Sequence, residues 1–256
     1  MEAERLTKHA RHALIIAEVR ASAAIRVSEL AQRLGVSGET IRRDLDELGD
    51  AGLVARTYGG ATAPFTAEPI ASERDRAQVA ERFRIATMAV NHVADGQLVM
   101  LDGGSTTRAV AQHLAQQRRN LTIVTNSVAV AAAAGANPTF LVLLCPGRYN
   151  ADENSVLGED TVEFLARFHA HVAIIGASGM TEEGPSEAVP GAAAIKRAML
   201  HRAPLSFLTL DHTKFGRAAL EVVCGFEALS RVITDQPLPE PLRLAAERAG
   251  TAIENS

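Results

Sequence analysis

Along residues 5–21 apolar side chains (Leu6, Ala10, Ala13, Leu14, Ala17, Val19) recur at helical spacing among charged ones and predict a first amphipathic helix. A short β-type run, Ala24-Ile25-Arg26-Val27, follows. Ser28 suits the N-cap of a second helix over 28–34, with Glu29 in its first turn, because a hydroxyl and an acid both answer the exposed amides of a helix start. Gly35-Val36 makes a tight turn. Ser37 then caps a third helix that runs to about residue 51, with Gly52 placed as a stop. In that helix Ile41, Leu45 and Leu48 form the apolar stripe. Residues 53–58 read as a strand, ended by Gly59-Gly60.

From Ser72 the pattern changes. A helix of about two dozen residues leads into an apolar strand at 97–102, and further apolar strands recur at 121–125, 139–144, 172–176, 205–210 and 231–234. Helix-like stretches lie near 106–118, 127–135, 159–168 and 188–203. Strands alternating with helices predict an α/β domain whose mostly parallel sheet is covered on both faces. The division is a small unit at 5–61, a linker at 62–71 that holds Pro64 and Pro69 and no periodicity, and a larger domain at 72–256. Helix, helix, tight turn, helix and hairpin, in that order, is the layout of a winged helix-turn-helix.

Composition narrows the function classes. With 47% hydrophobic and 22% charged residues the chain is an ordinary globular one, and no apolar run is long enough to span a membrane. Met1-Glu2-Ala3-Glu4-Arg5 lacks the basic-then-apolar order of a signal peptide. Two cysteines, Cys145 and Cys224, cannot make a disulfide framework, which fits a reducing cytoplasm. Net charge is −4, and residues 1–62 carry nine Lys/Arg against nine Asp/Glu, so bulk charge gives nucleic-acid binding no support. The case for DNA rests on where the arginines sit.

They sit well. A helix entering the major groove reads bases from its first turns, and Gly38, Glu39, Thr40, Arg42 and Arg43 occupy those turns of the third helix. Ser37 and Thr40 can donate to phosphates, Arg42 or Arg43 can fork onto guanine or clamp a phosphate, and Arg56 and Tyr58 can touch the backbone from the wing. The alternative for two arginines on an exposed helix is a solvated face. The stretch Val27-Ser28-Glu29-Leu30-Ala31-Gln32-Arg33-Leu34-Gly35-Val36-Ser37-Gly38-Glu39-Thr40-Ile41-Arg42-Arg43-Asp44-Leu45 resembles the DeoR family of bacterial regulators. Gly52-Leu53-Val54-Ala55-Arg56-Thr57-Tyr58-Gly59-Gly60-Ala61 resembles that family's wing, with Tyr58 where a histidine is more usual.

In the larger domain, Asp102-Gly103-Gly104-Ser105-Thr106-Thr107 follows a strand and precedes a helix, where small residues let backbone amides and hydroxyls approach an anion. Thr125-Asn126-Ser127 ends the next strand, and Asp211-His212-Thr213-Lys214 ends another, with Lys214 as a phosphate-pairing cation. All three lie at carboxyl ends of strands, where ligands bind in open α/β sheets. With Gly176 and Ser178 after a further strand, and with Thr234-Asp235, they resemble the DeoR-type sensor domain over roughly 74–235. The resemblance implies a fold similar to ribose 5-phosphate isomerase, a phosphorylated sugar as effector, no cofactor, and repression of carbohydrate genes that the sugar relieves. Departures fall at Cys145-Pro146-Gly147, with one glycine where two are common, at His171 in place of an aspartate, and at Gly184-Pro185-Ser186.

The rival class is an isomerase on the same scaffold. Moving a proton along a sugar needs a carboxylate base, and the isomerases carry an Asp-Gly-Ala-Asp element. Its counterpart here is Ile175-Gly176-Ala177-Ser178, which lacks both acids. His169-Ala170-His171 puts two rings on one side of a strand, but no nearby cysteine or acid cluster completes a metal site. Self-association to a dimer or tetramer is expected, because two-fold related half-sites multiply the affinity of one small winged unit for operator DNA.

Overall fold

The computed structural model describes residues 7–21, 25–50, 54–57, 59–62, 74 and 76–256. The chain forms two compact units, Met1–Ala67 and Glu68–Ser256. The proposed linker at 62–71, apart from Thr62, and the wing residue Tyr58 lie outside the described residues.

The first unit holds α1 (Lys8–Ala21), β1 (Ile25–Arg26), α2 (Val27–Leu34), α3 (Gly38–Asp50), β2 (Ala55–Thr57) and β3 (Gly60–Thr62). Ile15, Val19, Leu30, Ile41, Leu45 and Leu48 pack into one core, as helical periodicity requires when each helix has one apolar face. The α2 boundary differs from expectation. The helix begins at Val27, whose amide donates to Gly59 O (2.9 Å), so Ser28 lies inside the first turn and makes no cap. Gly35 (φ 64°) closes α2 in the left-handed conformation that only glycine adopts cheaply. The three strands pair antiparallel in the order β1-β3-β2. Gly60 is required there, since a Cβ would stand 2.1 Å from Ile25 O across the ladder.

The second unit is built on a seven-stranded sheet. After α4 (Val79–Val90) come β4 (Leu98–Leu101), α5 (Ser105–Gln117), β5 (Thr122–Thr125), α6 (Val128–Ala134) and β6 (Leu141–Leu144). A hairpin of β7 (Arg148–Asn150) and β8 (Ser155–Leu157) precedes α7 (Glu159–Leu165) and β9 (Val172–Ile175). Next come a ribbon of β10 (Gly179–Thr181) and β11 (Gly184–Glu187), then α8 (Ala192–Leu200), β12 (Leu205–Thr209), β13 (Glu221–Val222), β14 (Arg231–Thr234), α9 (Glu240–Arg248) and β15 (Ala252–Asn255). The sheet order is β15-β14-β12-β9-β4-β5-β6, parallel throughout.

Alternation of side chains divides the sheet's two faces. Val99, Leu101, Val172 and Ile174 join Ile85, Val110 and Leu114 of α4 and α5 on one side, whereas Met100, Ala173 and Ile175 join Leu165, Met199 and Leu242 of α7, α8 and α9 on the other. The expected two-dozen-residue helix after Ser72 is shorter: α4 spans 12 residues. The chain winds from β4 toward β6 on one side and from β9 toward β15 on the other. The winding direction therefore reverses between neighbours β4 and β9. A crevice opens at the strand ends where such a reversal occurs.

Candidate functional site

A pocket of about 420 Å³ lies at that reversal. Gly103 and Gly104 leave the end of β4 and enter α5, and Gly176, Ala177 and Ser178 leave β9. Gly103 is small for a reason: a Cβ would come 3.3 Å from Ser155 Cβ. The first amides of α5 have no intrahelical acceptor, and the Arg108 amide is the one that bonds Gly104 O (2.9 Å). A 13-residue helix thus presents its positive end to the pocket. Ser105 Oγ, in a residue only 9% exposed, has no hydrogen-bond partner among the described residues and belongs to a residue of the pocket wall. A buried hydroxyl left unbonded is costly unless a ligand or water satisfies it.

Among the described residues three cations border the pocket: Arg74, Arg82 and Lys214. Arg74 donates to Glu153 (Nη1 to Oε1, 3.1 Å). Arg82 donates to the Arg74 and Ala77 carbonyls (2.5 and 2.6 Å) and stands 4.0 Å from Asp211 Oδ2. Asp211 also accepts from the Thr213 amide (3.0 Å), capping the short turn His212–Lys214. Asp235 fixes the same turn through the His212 amide and ring (2.7 Å each).

Beneath the pocket lies a buried ionic group. Lys196, 3% exposed, donates to Asp102 Oδ2 and to Gly176 O (3.2 Å), and its Nζ is 3.3 Å from Glu187 Oε1. Gly176 N donates to Asp102 Oδ2 as well (3.1 Å). Burial alone would push the lysine's pKa down, but Asp102 and Glu187 outweigh it and hold Lys196 above its ordinary value.

The structure therefore brings Gly103, Gly104, Ser105, Thr106, Thr107, Gly176, Ser178, Asp211 and Lys214 to one pocket, with Asp102 just below. It does not bring Thr125 and Ser127. Thr125 Oγ1 accepts from the Ser127 amide (3.0 Å) and Ser127 Oγ caps α6 through the Val130 amide (3.3 Å), so both hydroxyls are spent on their own turn. The Thr107 hydroxyl likewise closes its loop, donating to Asp102 O (3.0 Å) and Gly104 O (3.1 Å). Sequence reasoning missed Arg74, Arg82, Glu153, Glu187 and Lys196. A signal existed for Arg82, which lies three residues before buried Ile85 on the core-facing stripe of α4.

In the first unit α3 presents Glu39, Arg42 and Arg43 to solvent, with side chains 62%, 59% and 77% exposed. Glu39 holds the arginines loosely (3.4 and 3.5 Å), pairs worth little in water. Ser37 Oγ accepts from the Thr40 amide (3.1 Å) and bonds Thr40 Oγ1 (2.9 Å), so both hydroxyls serve the cap. Arg56 is tied to Asp46 (3.0 Å) and to Gly60 O (3.2 Å), bracing the hairpin against α3. Beneath, buried Asp44 accepts both arms of Arg11 (2.5 and 2.9 Å) and bonds His12 (3.0 Å). Burial pushes Asp44 up, but these bonds outweigh it and hold the carboxyl below its ordinary range. Burial also pushes the Cys145 thiol up to about 12 and Cys224 to about 11, so neither is a thiolate at neutral pH. Among the described residues no group of three His, Cys, Asp or Glu is placed to hold a metal, and no helix is long and apolar enough to cross a membrane.

A winged helix-turn-helix joined to an α/β unit with a ligand crevice at its winding reversal defines an effector-responsive transcription regulator. The chain belongs to the DeoR family: residues 11–66 match the DeoR-like helix-turn-helix domain and residues 77–236 the DeoR C terminal sensor domain. The glycerol-3-phosphate regulon repressor of Escherichia coli is 32% identical over 231 residues, covering 90% of this chain and 91% of that protein. The transcriptional repressor GlcR of Bacillus subtilis is 28% identical over 214 residues, covering 83% and 82%. Among solved structures, ribose 5-phosphate isomerase A of Methanocaldococcus jannaschii matches 54% of this chain and 55% of its own at 15% identity and a TM-score of 0.40.

Proposed function

We propose that the protein is a cytoplasmic repressor of carbohydrate genes, that it binds operator DNA through α3, and that a phosphorylated sugar in the crevice between β4 and β9 releases it. The observation that carries this reading is the α5 N-terminus with partnerless Ser105 Oγ, bordered by Arg74, Arg82 and Lys214. A phosphate dianion takes several donors at once, and helix amides, a hydroxyl and cations are the groups that recognise it. Glycerol phosphate in the name of one relative agrees with that chemistry.

Release needs coupling, and the pocket supplies a route. Arg74 and Arg82 both lie near the start of the sensor unit, Arg82 on α4. A phosphate competes with Glu153 for Arg74 and with Asp211 for Arg82, and so shifts the ion pairs of the sensor unit. A tenfold loss of operator affinity needs only about 1.4 kcal/mol of such difference. Paired winged units in a homo-oligomer would match two-fold operators, and sedimentation of the free protein tests this.

Sensing is favoured over catalysis. Ile175 is buried in the core and Ser178 Oγ accepts from the Ala188 amide (3.1 Å), so neither position offers a base. The deciding experiment is fluorescence anisotropy of the full chain on the DNA flanking its own gene, with sugar phosphates added in turn. Salt-dependent binding relieved by one or a few esters is expected, with Lys214→Ala still binding DNA but needing at least tenfold more ester. Relief by none of them, a normal response in Lys214→Ala, or turnover of a sugar phosphate above background would each overturn the reading.

A further inference from the structure

Past Gly103 the crevice continues along an inner wall of Asp102, Asn126, Ser155, Glu187 and Lys196, with Leu157 and Ile195 as part of an apolar side. Gly103, Glu153 and Glu187 line both compartments, so the two are contiguous. Two oxygens of inner-wall residues are buried without a partner among the described residues: Asp102 Oδ1 and Asn126 Oδ1, in residues 1% and 4% exposed. The Asn126 amide nitrogen is already committed, donating to Val156 O (3.0 Å), so the oxygen is the half of the amide whose bonding capacity is unmet. Two buried acceptors call for two donors.

The cation of the inner wall has none to give. An ammonium has three N–H donors, and Lys196 aims them at Asp102 Oδ2, Gly176 O and Glu187 Oε1. The formal charge of Asp102, Glu187 and Lys196 together is one negative, and Glu153 is balanced by Arg74. A carboxylate entering here brings only acceptors, meets unsatisfied acceptors and finds excess negative charge. Two hydroxyls bring the two missing donors at no charge cost. A site built to bond a group rejects the analogue that cannot make the bond, because its own buried atoms are left unpaired.

We propose that this inner compartment takes the uncharged, hydroxyl-bearing end of a phosphorylated sugar or polyol and excludes the corresponding sugar acid. The inference rests on the phosphate reading above, and the probes separate the two. Calorimetric titration of the full chain would use inorganic phosphate and two matched pairs: glycerol 3-phosphate with 3-phosphoglycerate, and sorbitol 6-phosphate with gluconate 6-phosphate. Within each pair only the far end changes, from a hydroxymethyl group to a carboxylate.

In at least one pair the neutral member should bind at least tenfold tighter than the acid and tighter than inorganic phosphate. Asn126→Leu should weaken the neutral ester fivefold or more and leave inorganic phosphate unchanged. Equal or tighter binding of the acids, or esters no tighter than inorganic phosphate while that anion does bind, overturns the inner compartment and spares the outer one. Failure of all five probes overturns both. Should Asn126→Leu melt early, the wild-type ratio within the pairs decides alone.

Discussion

Replacing Lys196 with methionine keeps length and removes the one cation between Asp102 and Glu187, which are 1% and 7% exposed. At 3.3 Å and an effective dielectric of about 20, the Glu187 attraction alone is about 5 kcal/mol, set against several kcal/mol of desolvation for each ion. Breaking a buried group by deleting one member leaves charge uncompensated and costs about 3–5 kcal/mol. For a unit of this size each kcal/mol lowers the melting temperature by about 2–4 °C, so the sensor unit of Lys196→Met should melt roughly 6–20 °C early by scanning calorimetry. The pH dependence adds a second readout. Because Lys196 is raised in the folded state, its contribution is complete below the ordinary lysine value of 10.5 and fades only as pH climbs through the higher folded value. The wild-type sensor unit should therefore show no Lys196 transition anywhere near neutral pH. A variant that melts within about 2 °C of wild type would refute the account of the buried group.

The remaining predictions concern the winged unit. Arg43→Ala should weaken operator binding and lower the slope of log affinity against log salt by about one if Arg43 meets a phosphate, or relax one base preference at a cost of about 1–3 kcal/mol if it meets a base; unchanged affinity removes it from the interface. Gly60→Val drives a Cβ to 2.1 Å from Ile25 O, so DNA binding should vanish while the sensor transition stays in place, both read in one sample. Asp44→Asn strands the guanidinium of Arg11, and about 3–5 kcal/mol of the winged unit's stability should go. Since Asp44 is lowered in the folded state, its contribution is complete above the ordinary value of 3.8 and is lost as pH falls through the folded value, so acid melts of the variant should be flatter than wild type.

Much of this fold is visible in the sequence because its elements are periodic and its sheet is parallel. Strands buried on both faces read as apolar runs, and β4, β5, β9, β12 and β14 each fall inside such a run. The β7–β8 hairpin and the β10–β11 ribbon did not declare themselves. Their cores are Arg148-Tyr149-Asn150 and Gly184-Pro185-Ser186-Glu187, which carry no apolar alternation and owe their strand geometry to tertiary pairing. The end of the chain escaped for a different reason. Helix α9 and edge strand β15 are short and mixed; β15 is ordered by pairing with β14, and α9 by packing on β15 and the 226–228 turn, rather than by their own pattern.

The site divides along the same physical line. Loop groups such as Gly103, Gly104 and Ser105 announce themselves, because a Gly-rich strand-to-helix turn has a local cause that local sequence records. Hydroxyls could not be sorted that way. Ser105, Thr107, Thr125 and Ser127 look alike in the chain, yet Ser105 alone among them has a buried oxygen without a partner, since the others spend theirs on turns and caps. Lys196 was hidden because its carboxylate partner is distant: Asp102 lies 94 residues from it. A lysine within Ala-Ile-Lys-Arg-Ala-Met reads as a solvated helix position until the sheet brings a carboxylate over it. Burial of a charge is a property of assembly, so the part of the pocket that would decide which ligand enters is the part a single sequence conceals most completely.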